Sequence, residues 1–178
     1  PKVAPPLAQD FNQCLTMDLK IWPRFNCNIL YLIDAATRYM KSFIIPDKKP
    51  ETIIKCLLDG WIMDGFGAPE QILTDNGREF WNIKLRDLCE NMNIKVLNTA
   101  AESPFQNGLC ERNHAITDGI ISKMMEDQPD LPLEDAVKAA TFAKNALTNH
   151  LGYTPIQLVT GKLPRLPNIF ENFQPAQQ

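Results

Sequence analysis

Residues 28–45 read NILYLIDAATRYMKSFII, and this stretch decides the fold. Residues 28–35 form a nearly unbroken apolar run of strand length. A run of that kind suits a strand buried within a sheet. Residues 38–45 alternate loosely and stop at Pro46, which cannot donate to a sheet ladder. Only a short turn near Ala36 and Thr37 joins the two runs. A parallel crossover takes a dozen or more residues, so these strands are expected to lie antiparallel. Upstream, residues 11–19 make a third strand-like run, bounded by Pro23. The simplest arrangement is an antiparallel meander of three strands.

Beyond Pro46 the pattern turns helical. Pro50 suits the first position of a helix, and Ile53, Ile54, Leu57, Leu58 and Trp61 recur at helical spacing. That helix is expected to end by Gly65 and Gly67. A short strand over 71–74 runs into Asp75-Asn76-Gly77. A helix over about 79–91 gathers Phe80, Leu85, Leu88 and Cys89 on one side, and residues 94–97 make another strand. A loop over 102–108 carries Pro104 and Gly108, and opens onto a long helix over about 109–126. Further helices are expected over 132–149 and 155–159. The later strands need helical crossovers and should lie parallel to their neighbours. The expected class is α/β, a mixed five-stranded sheet with helices on both faces, a pattern that fits an RNase H-like architecture among other α/β layouts.

Length and composition fit one globular domain. The chain has 178 residues, 44% apolar and 22% charged. The proline-bearing ends, 1–9 and 164–178, read as linkers around a core over 10–163. No apolar run approaches the ~18–20 residues of a membrane span. The first residue is not Met, so the chain is expected to be a processed or excised piece of a longer protein. The net charge of −3 argues against strong nucleic-acid binding by the chain's surface alone. A metal site rich in carboxylates remains compatible with that charge. The five cysteines, at 14, 27, 56, 89 and 110, have no zinc-knuckle spacing and read as reduced residues of an intracellular protein.

Three acids stand out by position. Asp18 sits in an apolar strand beside Leu15 and Met17. Asp75 ends a strand ahead of Asn-Gly, and Glu111 lies early in the long helix. Each alone has a structural explanation, as a turn former or as a charge favoured near a helix start. Together they form a set of hard oxygen donors suited to Mg²⁺ or Mn²⁺. Two such ions about 3.5–4 Å apart can activate an attacking oxygen and stabilise a leaving one. With two histidines in the chain, no zinc set or serine triad competes.

The surrounding residues carry a resemblance. Gly67-Ala68-Pro69, Ile72, Thr74-Asp75-Asn76-Gly77 and Glu79-Phe80 are similar to the second catalytic motif of retroelement integrases. Ser103-Pro104-Phe105-Gln106-Asn107-Gly108-Leu109-Cys110-Glu111-Arg112 is similar to the third. Between Asp75 and Glu111 lie 35 residues, the spacing of the D,D-35-E pattern. Met17-Asp18 supplies the first acid, and Thr154-Pro155 with 158–162 and Pro164 resembles the tail of a retrotransposon core. The departures are Glu102, where many retroviral relatives carry an aromatic, and Ala115 and Asp118, where they often carry lysines.

The resemblance implies a polynucleotidyl transferase of the DDE type. It implies that Asp18, Asp75 and Glu111 hold two Mg²⁺ or Mn²⁺ ions and catalyse 3′-end processing and strand transfer. Gln106, Asn107, Gly108, Arg112 and His114 are the expected DNA contacts. The expected partners are element-end and target DNA and further copies of the chain, in a homodimer or higher oligomer. The flanking zinc-binding and C-terminal DNA-binding modules of the family are expected to lie outside this chain. The expected location is the nucleus, or a virus-like particle before integration. The alternatives are a metal-dependent nuclease of the same fold, or a host-captured domain that binds DNA or protein.

Overall fold

The structure is a computed structural model that describes residues 8–74, 77, 79–80, 82–98 and 104–166, without the side chains of 24, 98, 104–107 and 109. The expected linkers, 1–9 and 164–178, lie mostly outside the described residues.

Five strands form one sheet: β1 Cys14–Trp22, β2 Cys27–Asp34, β3 Met40–Ile45, β4 Gln71–Thr74 and β5 Lys95–Asn98. Their order is β3-β2-β1-β4-β5. The meander β1-β2-β3 is antiparallel, and β4 and β5 run parallel to β1. Helices α1 Pro50–Leu57, α2 Ile83–Asn91, α3 Pro104–Asp127, α4 Leu133–Leu147 and α5 Pro155–Thr160, with a 3-10 turn at Pro23–Phe25 and a π-helical stretch over Leu58–Phe66, complete the element order. The mixed sheet and its topology are those of the RNase H-like class.

Alternation along the strands splits the core in two. Leu15 and Met17 of β1, Leu30 and Leu32 of β2, and Ile72 of β4 face Ile53, Leu57, Trp61, Leu85 and Cys89. On the other face Ile29, Tyr31 and Ile33 meet Cys110 and Ile121 of α3 and Ala136, Val137 and Ala140 of α4. The sheet is therefore covered on both sides, which explains the unbroken apolar run in β2.

Several boundaries differ from the sequence reading. β1 starts at Cys14 because Asn12 adopts a left-handed conformation, φ 65°, that a strand cannot include. Arg38 does the same at φ 65°, so β3 starts at Met40. The first helix ends by Gly65 and Gly67 as expected, but its second half is not α-helical. It widens into a π-helical stretch, Leu58–Phe66, that breaks at Gly65 with φ 105°. Helix α2 starts at Ile83, not 79, because Asn82 caps it by accepting from the Leu85 N–H at 2.9 Å. Helix α3 begins at Pro104, so the segment from 104 to 108 that was expected as loop is helical. Proline at the first helical turn carries no N–H to leave unsatisfied.

Asn12 ties the two halves of the sheet together. Its Nδ2 donates to the carbonyl of Phe66 at 2.9 Å, its Oδ1 accepts from Trp61 Nε1 at 2.8 Å, and its N–H donates to Asp34 Oδ1 at 2.9 Å. Its own carbonyl accepts from the N–H of Glu70 at the entry to β4. Asn12→Ala removes the partners of buried groups and places a Cβ without a bonding side chain in a left-handed turn. The expected cost is about 3 kcal/mol, read as a lower urea midpoint at constant slope.

Candidate active site

Asp18 lies in the middle of β1, paired across the ladder with Tyr31 of β2. Leu15 and Met17 point to the α1 side, so alternation sends Asp18 to the side of α3. There His114 of α3 meets it, Nε2 lying 3.2 Å from Asp18 Oδ2. The distance is that of a hydrogen bond, but the ring is not aligned to make one, and Nε2 has no hydrogen-bond partner among the described residues. The His114 ring also stacks on Tyr31, centroids 4.3 Å apart at 32°. Burial pushes the His114 pKa down to about 4, with Lys20 adding to the effect against Asp118 and Glu111. The imidazole is therefore neutral at pH 7. Burial and the charge of Asp118 hold the Tyr31 phenol well above its ordinary range.

The register of α3 on β1 follows from a second contact. Lys20 of β1 forms an ion pair with Asp118 of α3. Two strand residues rise about 6.6 Å and four helical residues about 6 Å, so Asp18–His114 and Lys20–Asp118 fit one parallel alignment. Glu111 is one turn before His114 on the same side of the helix. Its side chain is exposed, and it is close enough to His114 to act on its titration.

The remaining expected residues fall as follows. β4 pairs Thr74 with Met17, the residue before Asp18. Asp75, next in the chain, lies outside the described residues. Gln106 and Asn107 belong to the first turns of α3, and their side chains also lie outside the described residues. Gly108 is half-buried on the same turns. Arg112 is exposed and donates from Nε to the Gly108 carbonyl at 3.2 Å. His114 is 9% exposed and turned inward, onto Asp18 and Tyr31 rather than toward solvent.

Asp34 takes no part in this group. Its Oδ2 accepts from the N–H and Oγ1 of Thr37, both at 2.7 Å, and its Oδ1 accepts from Asn12. It is a turn clamp. Tyr31 and the Lys20–Asp118 pair were not singled out from sequence. Alternation in β2 places Tyr31 on the Asp18 side only once the ladder register is known.

Among the described residues, no three His, Cys, Asp or Glu side chains group closely enough to hold a metal ion. The donors that are described still fit a hard cation. The Asp18 side chain is 26% exposed, and exposed Glu111 stands on the adjoining helix. Carboxylate oxygens of this kind suit Mg²⁺ or Mn²⁺ rather than zinc or copper.

Comparison with known proteins fits this layout. The family model described as integrase core domain matches residues 9–104, more than half of the chain. The Pol polyprotein of transposon 412 from Drosophila melanogaster is 28% identical over 142 residues, which cover 78% of this chain and 11% of the polyprotein. The chain therefore spans about a tenth of that relative's length. Among solved structures, the simian T-cell lymphotropic virus intasome in complex with PP2A regulatory subunit B56 gamma contains a chain with TM-score 0.79 and 22% identity. The match covers 94% of this chain and 62% of that one. The HTLV-2 integrase catalytic core domain in complex with magnesium superposes with TM-score 0.71 at 22% identity, over 84% of this chain and 97% of that one.

The sheet order and the helices on both faces define an RNase H-like catalytic core. The chain belongs to the integrase core domain family of retroviruses and retrotransposons. Among the described residues, no helix is long and apolar enough to cross a membrane.

Proposed function

We propose that the chain is the catalytic core of an integrase that processes the 3′ ends of element DNA and joins them to target DNA. The observation that carries this reading is the meeting of Asp18 with His114, one turn from Glu111 on the same helix. It sets two acids of the D,D-35-E pattern on neighbouring elements. Asp18, Asp75 and Glu111 are the residues that would hold two Mg²⁺ or Mn²⁺ ions. When bound, such ions lower the pKa of an attacking water or hydroxyl and neutralise charge on the leaving oxygen.

The chain's own residues supply position. The β1-β2 ladder fixes the backbone of Asp18, and His114 limits where its carboxylate can swing. Lys20 and Asp118 lock α3 against β1, so Glu111 keeps a constant height above the sheet. Gln106, Asn107, Gly108 and Arg112 belong to the opening turns of that helix and are the residues that would contact DNA phosphates and base edges. No side chain need become a covalent nucleophile. The HTLV-2 core is solved as a dimer, and the simian viral chain within an intasome. We extend that to a homodimer or higher oligomer acting on element and target DNA in the nucleus, with flanking DNA-binding modules.

The test is a joining assay. The chain, rejoined to its flanking modules, is incubated with labelled element-end duplex, target duplex and Mn²⁺. Products longer than the labelled strand are expected. Cleavage without joining supports a nuclease of the same fold instead, and neither product supports a binding module.

A further inference from the structure

Tyr31 stands directly opposite Asp18 in the β1-β2 ladder. Residues so paired lie about 4.5–5.5 Å apart, and alternation sends both side chains to the α3 side of the sheet. Tyr31 is fully buried, and its hydroxyl has no aligned hydrogen-bond partner among the described residues. Its ring meets the imidazole of His114 instead, with centroids 4.3 Å apart and planes tilted by 32°. The same imidazole brings Nε2 to 3.2 Å from Asp18 Oδ2. A strand aromatic, a helix imidazole and a strand carboxylate are thus in contact, one through the next.

The middle member has little else to hold it. The His114 backbone is fixed within α3, and Thr117 secures that turn by donating from Oγ1 to the carbonyls of Asn113 and His114, both at 3.0 Å. What stays free is rotation about the two side-chain torsions of His114. Its Nε2 makes no aligned hydrogen bond among the described residues, so no such bond at that nitrogen restrains them. A tilted ring stack does, because turning the imidazole out of it forfeits the aromatic contact. The Asp18 side chain is 26% exposed, and the imidazole lies against its buried side. A carboxylate left free to turn must be ordered when a cation binds, which weakens binding, and groups that orient a ligand offset that cost.

We propose that Tyr31 is a positioning residue of this site: its ring sets the plane of the His114 imidazole, and the imidazole in turn holds the Asp18 carboxylate ready for a divalent cation. The proposal rests on the integrase reading for Asp18 as a metal ligand. The ring performs the task and the hydroxyl does not, so phenylalanine should replace Tyr31 and leucine should not.

The test uses the whole chain with isotope-labelled histidine, which gives two ring signals, from His114 and His150. His150, at the Ala36 carbonyl, is the internal control. The ring current of the stacked aromatic should shift the His114 signals upfield in wild type and in Tyr31→Phe, and the shift should be lost in Tyr31→Leu. Mn²⁺ is then added alone, without DNA, and its uptake is read from water-proton relaxation. The half-saturating Mn²⁺ concentration is expected to rise roughly 10-fold in Tyr31→Leu and to stay within about 2-fold of wild type in Tyr31→Phe. In a His114→Ala background, Tyr31→Leu should add nothing further, because residues that act through one contact are not additive. A loss from general loosening of the core would add in full. The assignment is overturned by wild-type His114 signals without the upfield shift, which needs no variant to fold. It is also overturned by a wild-type chain that takes up no Mn²⁺, by equal losses in Tyr31→Phe and Tyr31→Leu, or by a Tyr31→Leu loss that persists undiminished without His114. Tyr31-dependent Mn²⁺ uptake by a chain that neither cuts nor joins DNA would uphold the positioning role and sink the integrase reading. Joining that keeps its Mn²⁺ dependence in Tyr31→Leu would do the reverse.

Discussion

Asp18→Asn is expected to reduce Mn²⁺-dependent joining by at least about 100-fold, at ~1.4 kcal/mol of barrier per tenfold. The amide keeps the size and shape of the carboxylate but removes the charge that a hard cation requires. Folding should survive. The Asp18 side chain is 26% exposed, and the β1-β2 ladder around it is made by backbone groups. The variant should therefore melt within a degree or two of wild type while its joining product disappears from a denaturing gel. Full joining by a well-folded Asp18→Asn chain would remove Asp18 from the site. His114→Ala offers a graded comparison. It deletes the ring that packs between Tyr31 and Asp18 but leaves all the acids. A loss of roughly 10- to 100-fold is expected, the range for a residue that orients a ligand rather than acting as one.

The difference between those two residues shows what the sequence could reveal. Asp18 was singled out because a strand pattern and a motif both pointed to it. His114 was expected as a DNA contact; helical spacing puts it on the Glu111 face but does not tell whether that face meets water or the sheet. The answer depends on α3 lying along β1, and that alignment comes from Lys20 and Asp118, 98 residues apart in the chain. Local periodicity carries no such information.

The fold itself was read well where the signal was apolar alternation. β4 spans 71–74 as expected, and the meander and its parallel additions follow from connection length. Two of the misread boundaries are set by tertiary bonds. Asn12 and Arg38 adopt positive φ because distant groups hold them, Asp34 and Trp61 for the first and Lys144 for the second. The widened helix over Leu58–Phe66 also meets a distant neighbour. Gly60 packs so closely on Phe43 of β3 that a Cβ there would sit 2.2 Å from the ring. No propensity scale registers a neighbour of that kind.

Lys144 leads to the largest expected change in stability. Burial, with Arg38 in second place, lowers its pKa in the folded protein from 10.5 to about 7. In the unfolded chain it keeps the ordinary value, so between pH 7 and 10.5 the unfolded state binds the extra proton. Stability therefore rises with pH across that window, and below pH 7 the cost of burying the charge is present in full. Buried cysteines act in the opposite direction at higher pH. Burial raises Cys14 and Cys89 to about 11, so stability is lost from about pH 9 upward as those thiols ionise in the unfolded chain. The clean interval is pH 7 to 9, where wild-type stability should climb by roughly 2–3 kcal/mol on account of Lys144. Lys144→Met fills the same space without a charge. It should be more stable than wild type by about 4 kcal/mol at pH 6, less whatever is lost with the hydrogen bond to the Arg38 carbonyl. The excess over wild type should shrink steadily toward pH 9. Paired urea titrations at pH 6, 7, 8 and 9 measure this, and a constant difference between the two proteins would mean that Lys144 keeps an ordinary pKa in the fold.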